Sequence, residues 1–128
     1  MEFHHVGTVT ADLDSLADRY AAIFGLELVH TESLEALRVG FLELDNGYLE
    51  LLEPLDDEGP VARHLASDRP AMHHVALSVP DIDAALQRAV DAGVSPIDET
   101  PRPGAWGHDV AFLHPSDTGG VLVEFVAV

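Results

Sequence analysis

Two histidines and two glutamates stand where side chains could meet around a cation. His5 lies in Phe3-His4-His5-Val6-Gly7 and His74 in Met72-His73-His74-Val75-Ala76, one phrase repeated from position 5 to position 74, an offset of 69. Glu50 interrupts Tyr48-Leu49-Glu50-Leu51-Leu52, and Glu124 interrupts Val121-Leu122-Val123-Glu124-Phe125. A carboxylate set in such an apolar run needs a cation or a strong donor, because burying an uncompensated charge is costly. One divalent ion would satisfy all four groups: Co²⁺, Zn²⁺, Ni²⁺ or Mn²⁺ accept imidazole and carboxylate ligands and keep positions for water or substrate. The chain has no cysteine, which removes thiolate ligation and disulfides. Any one of these residues alone would read as an ordinary strand residue; four at repeat-related positions favour the metal. Alternation along a strand puts His4 and His73 on the face opposite His5 and His74, so one member of each pair is the expected ligand, and His5 and His74 are the ones preferred here.

The elements that must position these groups also come in duplicate. The offset of 69 carries Asp12-Leu13-Asp14 onto Asp81-Ile82-Asp83. Asp12 and Asp81 are helix N-caps, able to accept from orphan N–H groups of a first turn. Behind them Leu13, Leu16, Ala17, Tyr20 and Phe24, and then Ile82, Ala85, Leu86, Ala89 and Val90, follow helical spacing. Gly25 and Gly93 sit where a helix would end in a left-handed turn. Strand-like runs flank each helix: Glu2 to Val9, Leu26 to Thr31, Leu37 to Leu44 and Tyr48 to Glu53 in the first half. In the second they are Met72 to Val79, Val94 to Ile97, Asp109 to His114 and Val121 to Val126. Asp45-Asn46-Gly47 and Asp117-Thr118-Gly119-Gly120 supply the matching turns. The pattern predicts an α+β fold of two tandem βαβββ modules in one domain, module 1 at about 1–56 and module 2 at about 71–128. The connector at about 57–70 would carry a short helix from Pro60 to Leu65.

Charge narrows the partners. There are 23 acidic residues against 6 basic ones, all arginine, for a formal net charge of −17. Such a surface repels nucleic acid and anionic membranes, and it repels itself unless salt screens it, so the composition reads as halophilic. No stretch approaches the ~20 apolar residues of a membrane span, and the amino terminus lacks a signal-peptide pattern, which together predict a cytoplasmic protein.

The chain resembles the methylmalonyl-CoA epimerase family of the vicinal oxygen chelate superfamily, which also includes glyoxalase and bleomycin-resistance proteins. The likeness is carried by Leu49-Glu50-Leu51-Leu52-Glu53-Pro54-Leu55, Arg102-Pro103-Gly104-Ala105-Trp106-Gly107, Val110-Ala111-Phe112-Leu113-His114-Pro115 and Thr118-Gly119-Gly120-Val121-Leu122-Val123-Glu124. The resemblance implies a curved, mostly antiparallel sheet wrapped around a metal held by His5, Glu50, His74 and Glu124, the same four that the residues themselves suggest. It implies a CoA thioester substrate and a homodimer. The sequence departs from the family where Trp106 replaces a frequent histidine, where Ser116 replaces a basic residue, and where Val39 replaces an acidic residue found in some relatives.

The reaction so implied interconverts (R)- and (S)-methylmalonyl-CoA. Glu124 is the expected base for the C2 proton, with Glu50 or a water on the ion serving the other face, and the ion stabilises the enolate. A glyoxalase-like (lactoylglutathione lyase) isomerase is the rival enzyme. A non-catalytic binding protein of the bleomycin-resistance type is the rival outside catalysis, and an extradiol dioxygenase fits less well because it leaves one ligand unused. Arg102 could meet a substrate carboxylate or phosphate, or simply face solvent. Trp106 reads as a loop or pocket wall, His114 as a family-motif residue or strand end, and His30, His64 and His108 as surface residues.

Overall fold

A computed structural model describes all residues, Met1–Val128. The order of elements is β1 (Glu2–Val9), α1 (Leu13–Phe24), β2 (Leu28–Leu34), β3 (Leu37–Leu44), β4 (Gly47–Pro54), α2 (Gly59–Ala66), β5 (Met72–Ser78), α3 (Ile82–Asp91), β6 (Arg102–Pro103), β7 (Asp109–Leu113) and β8 (Val123–Ala127). The βαβββ pattern is therefore present twice, with α2 in the connector. No helix is long and apolar enough to cross a membrane. By contacts the chain divides into two compact units, one of His5–His73 and one that joins Met1–His4 to His74–Val128.

In the unit of His5–His73 the strands run in the order β2-β3-β4-β1, with β2–β3 and β3–β4 antiparallel and β1–β4 parallel. The two-residue turn of Asp45 and Asn46 sets the register of β3 against β4, placing Phe41 opposite Glu50 and Val39 opposite Leu52. Alternation then sorts the faces. Leu42, Leu49 and Leu51 turn toward Leu13, Leu16 and Ala17 of α1 and form the core, while Phe41, Tyr48 and Glu50 occupy the other face. Asp12 caps α1 by accepting from the Ser15 N–H at 3.1 Å. Gly25 ends the helix at φ 67, a left-handed conformation that glycine takes without a Cβ clash. Phe24 keeps to the helical spacing but is exposed, its ring at a tilt against Tyr20.

The second unit repeats the plan, with strand order β5-β8-β7-β6, β5–β8 parallel and the other pairs antiparallel. Asp81 caps α3 through the Ala84 N–H at 3.0 Å. Ile82 and Leu86 of that helix pack on Ala111, Leu113 and Phe125. One expected strand fails: Val94 to Ile97 makes only an isolated bridge between Pro96 and Leu113. The outer strand is instead β6, the two residues Arg102 and Pro103. Pro96, Pro101 and Pro103 each lack the N–H a ladder needs, so this edge cannot pair continuously. Asp98 takes over one ladder position with its side chain, accepting from the Phe112 N–H at 2.9 Å. The last strand likewise begins at Val123 rather than Val121, because a 3₁₀ turn at Pro115–Asp117 and the glycines behind it delay pairing.

Candidate metal centre

Each unit carries one buried histidine–glutamate pair. In the first, His5 on β1 and Glu50 on β4 come together because β1 pairs parallel to β4 with Gly7 opposite Glu50 and His5 opposite Tyr48. His5 Nε2 stands 3.4 Å from Glu50 Oε1, and the residues are 3% and 5% exposed. In the second, β5 pairs parallel to β8 with Ala76 opposite Glu124. His74 Nε2 stands 3.7 Å from Glu124 Oε1, and exposure is 3% and 7%. The imidazoles and carboxylates predicted as ligands are thus buried and oriented toward each other within each unit.

These separations bear on what the pairs could hold. A charge-assisted N–H···O bond closes to about 2.7–2.9 Å, and both pairs are wider. Two N and O ligands sharing one ion at about 2.1 Å lie about 3.0 Å apart in octahedral and about 3.4 Å apart in tetrahedral coordination. The spacings of 3.4 and 3.7 Å therefore resemble the edge of a coordination polyhedron more than a hydrogen bond. The donor set fits as well, since nitrogen and hard oxygen ligands suit the later divalent transition metals and two carboxylates balance a double positive charge.

Both imidazoles are held by the same device. The Phe41 ring meets His5 edge-on at 5.6 Å and 86°, and the Phe112 ring meets His74 at 5.6 Å and 86°. Each phenylalanine lies directly opposite its unit's glutamate, Phe41 facing Glu50 and Phe112 facing Glu124. Each ring thus packs edge-on against its imidazole from the position across the strand pair from the buried carboxylate. Sequence alone does not single out these phenylalanines, because the pairing register makes them neighbours of the ligands.

Beyond each phenylalanine stands a basic–acidic pair. In the first unit His30 of β2 packs against Phe41 at 6.2 Å and places Nε2 3.0 Å from Glu32 Oε1. His30 is half-buried on the face that carries Glu50, so its reading as a surface residue is corrected. The spacing of two residues along a strand was the available signal, since it puts both side chains on one face. In the second unit Arg102 lies over Phe112, its guanidinium carbon 5.5 Å from the ring centre, with Nε donating to Asp98 Oδ1 at 3.1 Å.

The remaining histidines are accounted for away from these pairs. His4, buried on the opposite face of β1 from His5, meets His108 edge-on at 5.8 Å. His73 meets His64 at 5.0 Å, and His64 Nε2 is 2.7 Å from the Pro70 carbonyl oxygen. His64 and His108 are half-buried rather than surface groups. His114 is exposed and bonds its own turn through Ser116 Oγ at 2.8 Å. Trp106 is half-buried in a loop turn and adopts φ 62, unusual for a bulky side chain. Val39 is 1% exposed and lies opposite Leu52 of β4.

Comparison with known proteins agrees with this plan. Residues 4–112 match the model of the Glyoxalase/Bleomycin resistance protein/Dioxygenase superfamily. The chain is 35% identical to the mitochondrial methylmalonyl-CoA epimerase of Dictyostelium discoideum, over 96% of this chain and 76% of that protein. It is 37% identical to the ethylmalonyl-CoA/methylmalonyl-CoA epimerase of Cereibacter sphaeroides, over 98% of this chain and 96% of that one. A solved structure of methylmalonyl-CoA epimerase in complex with methylmalonyl-CoA and NH4+ superimposes with a TM-score of 0.94 at 35% identity, covering 98% of this chain and 93% of that chain. The chain belongs to the Glyoxalase/Bleomycin resistance protein/Dioxygenase superfamily, with its fold of paired βαβββ modules, and within it to the methylmalonyl-CoA epimerases.

Proposed function

We propose that this protein interconverts the (R) and (S) forms of methylmalonyl-CoA by moving the proton on C2, and that it does so with a divalent ion held by His5, Glu50, His74 and Glu124 together. The observation that carries the reading is the duplicated pair: two buried histidine–glutamate couples at equivalent register, each clamped by a phenylalanine and each spaced like co-ligands. The named relatives supply the substrate, a CoA thioester with a free carboxylate.

When bound, the ion supplies a Lewis acid that lowers the cost of negative charge on the thioester oxygen. The chain's own residues do the rest. Glu124 takes the C2 proton, and its burial beside Phe112 and Val126 keeps bulk water from competing for it. Glu50, contributed by the other module, returns a proton on the opposite face. Phe41 and Phe112 fix the imidazole planes, so the ligand nitrogens need no reorganisation when substrate arrives.

Deuterium exchange at C2 of methylmalonyl-CoA, measured in high salt with and without added Co²⁺, tests this directly. Salt is included because the net charge of −17 must be screened. Exchange that requires the metal supports the reading. A protein that leaves C2 untouched with metal bound, yet isomerises a hemithioacetal, would instead be a glyoxalase-like enzyme using the same donor set.

A further inference from the structure

Arg102 occupies an unusual place in a chain with 23 acidic residues and six arginines. It lies opposite Val110 in the β6–β7 pair, and Val110 shares a sheet face with Phe112 and, across the next pairing, with Glu124. The guanidinium is therefore on the same face as the candidate metal ligand. It is also fixed. Its Nε donates to Asp98 Oδ1, and the other oxygen of Asp98 accepts from the Phe112 N–H, so Asp98 ties the arginine to the strand beneath it. Its planar group rests over the Phe112 ring, which itself touches His74. Gly104 brings the following backbone so close to β7 that a Cβ there would stand 2.7 Å from Val110 Cγ1.

What is held in place is a cation with donors to spare. The side chain is 47% exposed, and Asp98 engages only Nε. The Nη1 and Nη2 groups have no protein acceptor, and together they form the fork that matches a carboxylate or phosphate. The equivalent station in the other unit holds His30 with Glu32, a group that is not permanently charged. The two units have thus kept the basic–acidic pair but made only one of them a fixed positive charge.

We propose that Arg102 is the anion-recognition residue of the substrate site, taking an anionic oxygen of the acyl-CoA, either the acyl carboxylate or a phosphate, on its Nη donors. This rests on the CoA-thioester reading above. It also answers a difficulty that the composition raises, since an acidic protein must bind a polyanion and needs a local cation to do so.

The test compares dissociation constants of wild type, Arg102→Gln and Arg102→Lys for methylmalonyl-CoA, propionyl-CoA and methylmalonyl-pantetheine, by calorimetry in the metal-loaded protein. Arg102→Gln is expected to weaken methylmalonyl-CoA by about tenfold or more, the size of a lost charge-assisted contact, and Arg102→Lys to recover part of it. If propionyl-CoA is spared while both methylmalonyl ligands weaken, the anion is the acyl carboxylate. If methylmalonyl-pantetheine is spared while both CoA esters weaken, it is a phosphate. Equal constants in wild type and Arg102→Gln would overturn the proposal, and so would equal weakening of all three ligands, which marks a structural role. Failure of the epimerase reading shows separately, as absent C2 exchange in wild type.

Discussion

The two half-sites agree closely around the ligands and diverge one step outward. His5 with Glu50 and His74 with Glu124 share burial, register and an edge-on phenylalanine at 5.6 Å. Beyond the phenylalanine, one unit offers a histidine against a glutamate and the other an arginine against an aspartate. The likeness belongs to a task both halves perform in the same way, and the difference to tasks a single substrate makes unequal. The C2 proton leaves from one face and returns on the other, a task that two alike carboxylates can share, whereas an anionic group of the substrate lies to one side of the reacting carbon and calls for a cation on that side alone.

The sharpest way to break the comparison is to disable one carboxylate at a time. Glu124→Gln is expected to slow C2 exchange from one enantiomer of methylmalonyl-CoA by about 10²- to 10⁴-fold, the usual worth of a positioned acid–base group. Glu50→Gln should do the same for the other enantiomer. Equal losses from both enantiomers in both variants would mean that the carboxylates act only as ligands, and the functional difference between the halves would vanish.

Next in size is the clamp. Phe41 is 2% exposed, whereas Phe112 is only partly buried under Arg102. Phe41→Ala should cost about 3–5 kcal/mol of stability and Phe112→Ala closer to 2 kcal/mol, because a less enclosed site leaves a smaller cavity. Urea midpoints of the metal-free variants check this, and a reversed order would show that the second half is the more rigid one.

The smallest effect tests whether the halves fold by equal rules. Asp12 and Asp81 cap their helices with the same geometry, 3.1 and 3.0 Å to the third residue onward. Asp12→Ala and Asp81→Ala should each cost about 1 kcal/mol. A cap that matters in only one half would point to different tertiary support for α1 and α3.

Much of the fold was legible because its signals are local. Asp12 and Asp81 announce helix starts, Gly25 a stop, and Asp45-Asn46-Gly47 a two-residue turn, each through chemistry within a few residues of itself. Glu50 and Glu124 stood out because one charge in an apolar run needs an explanation, and the repeat supplied their partners. The second-half edge was misread for a physical reason. Val94 to Ile97 has strand-like residues, but Pro96 removes a donor from the middle of it, and the Asp98 carboxylate does the work of a backbone group, which no propensity scale encodes.

What the sequence by itself determined is which residue types alternate onto a common face, because a strand's period of two follows from the backbone alone. That is enough to separate His5 from His4 and His74 from His73, while the choice of His5, His74, Glu50 and Glu124 as candidates drew on the repeat and on the family resemblance as well. Only the tertiary structure decided that Phe41 and Phe112 meet the imidazoles, that His30 of β2 packs against Phe41, and that Arg102 lies over Phe112. Those neighbours come from different strands, and which strands pair and in what register is settled by packing across the sheet, not by the chain beside each residue.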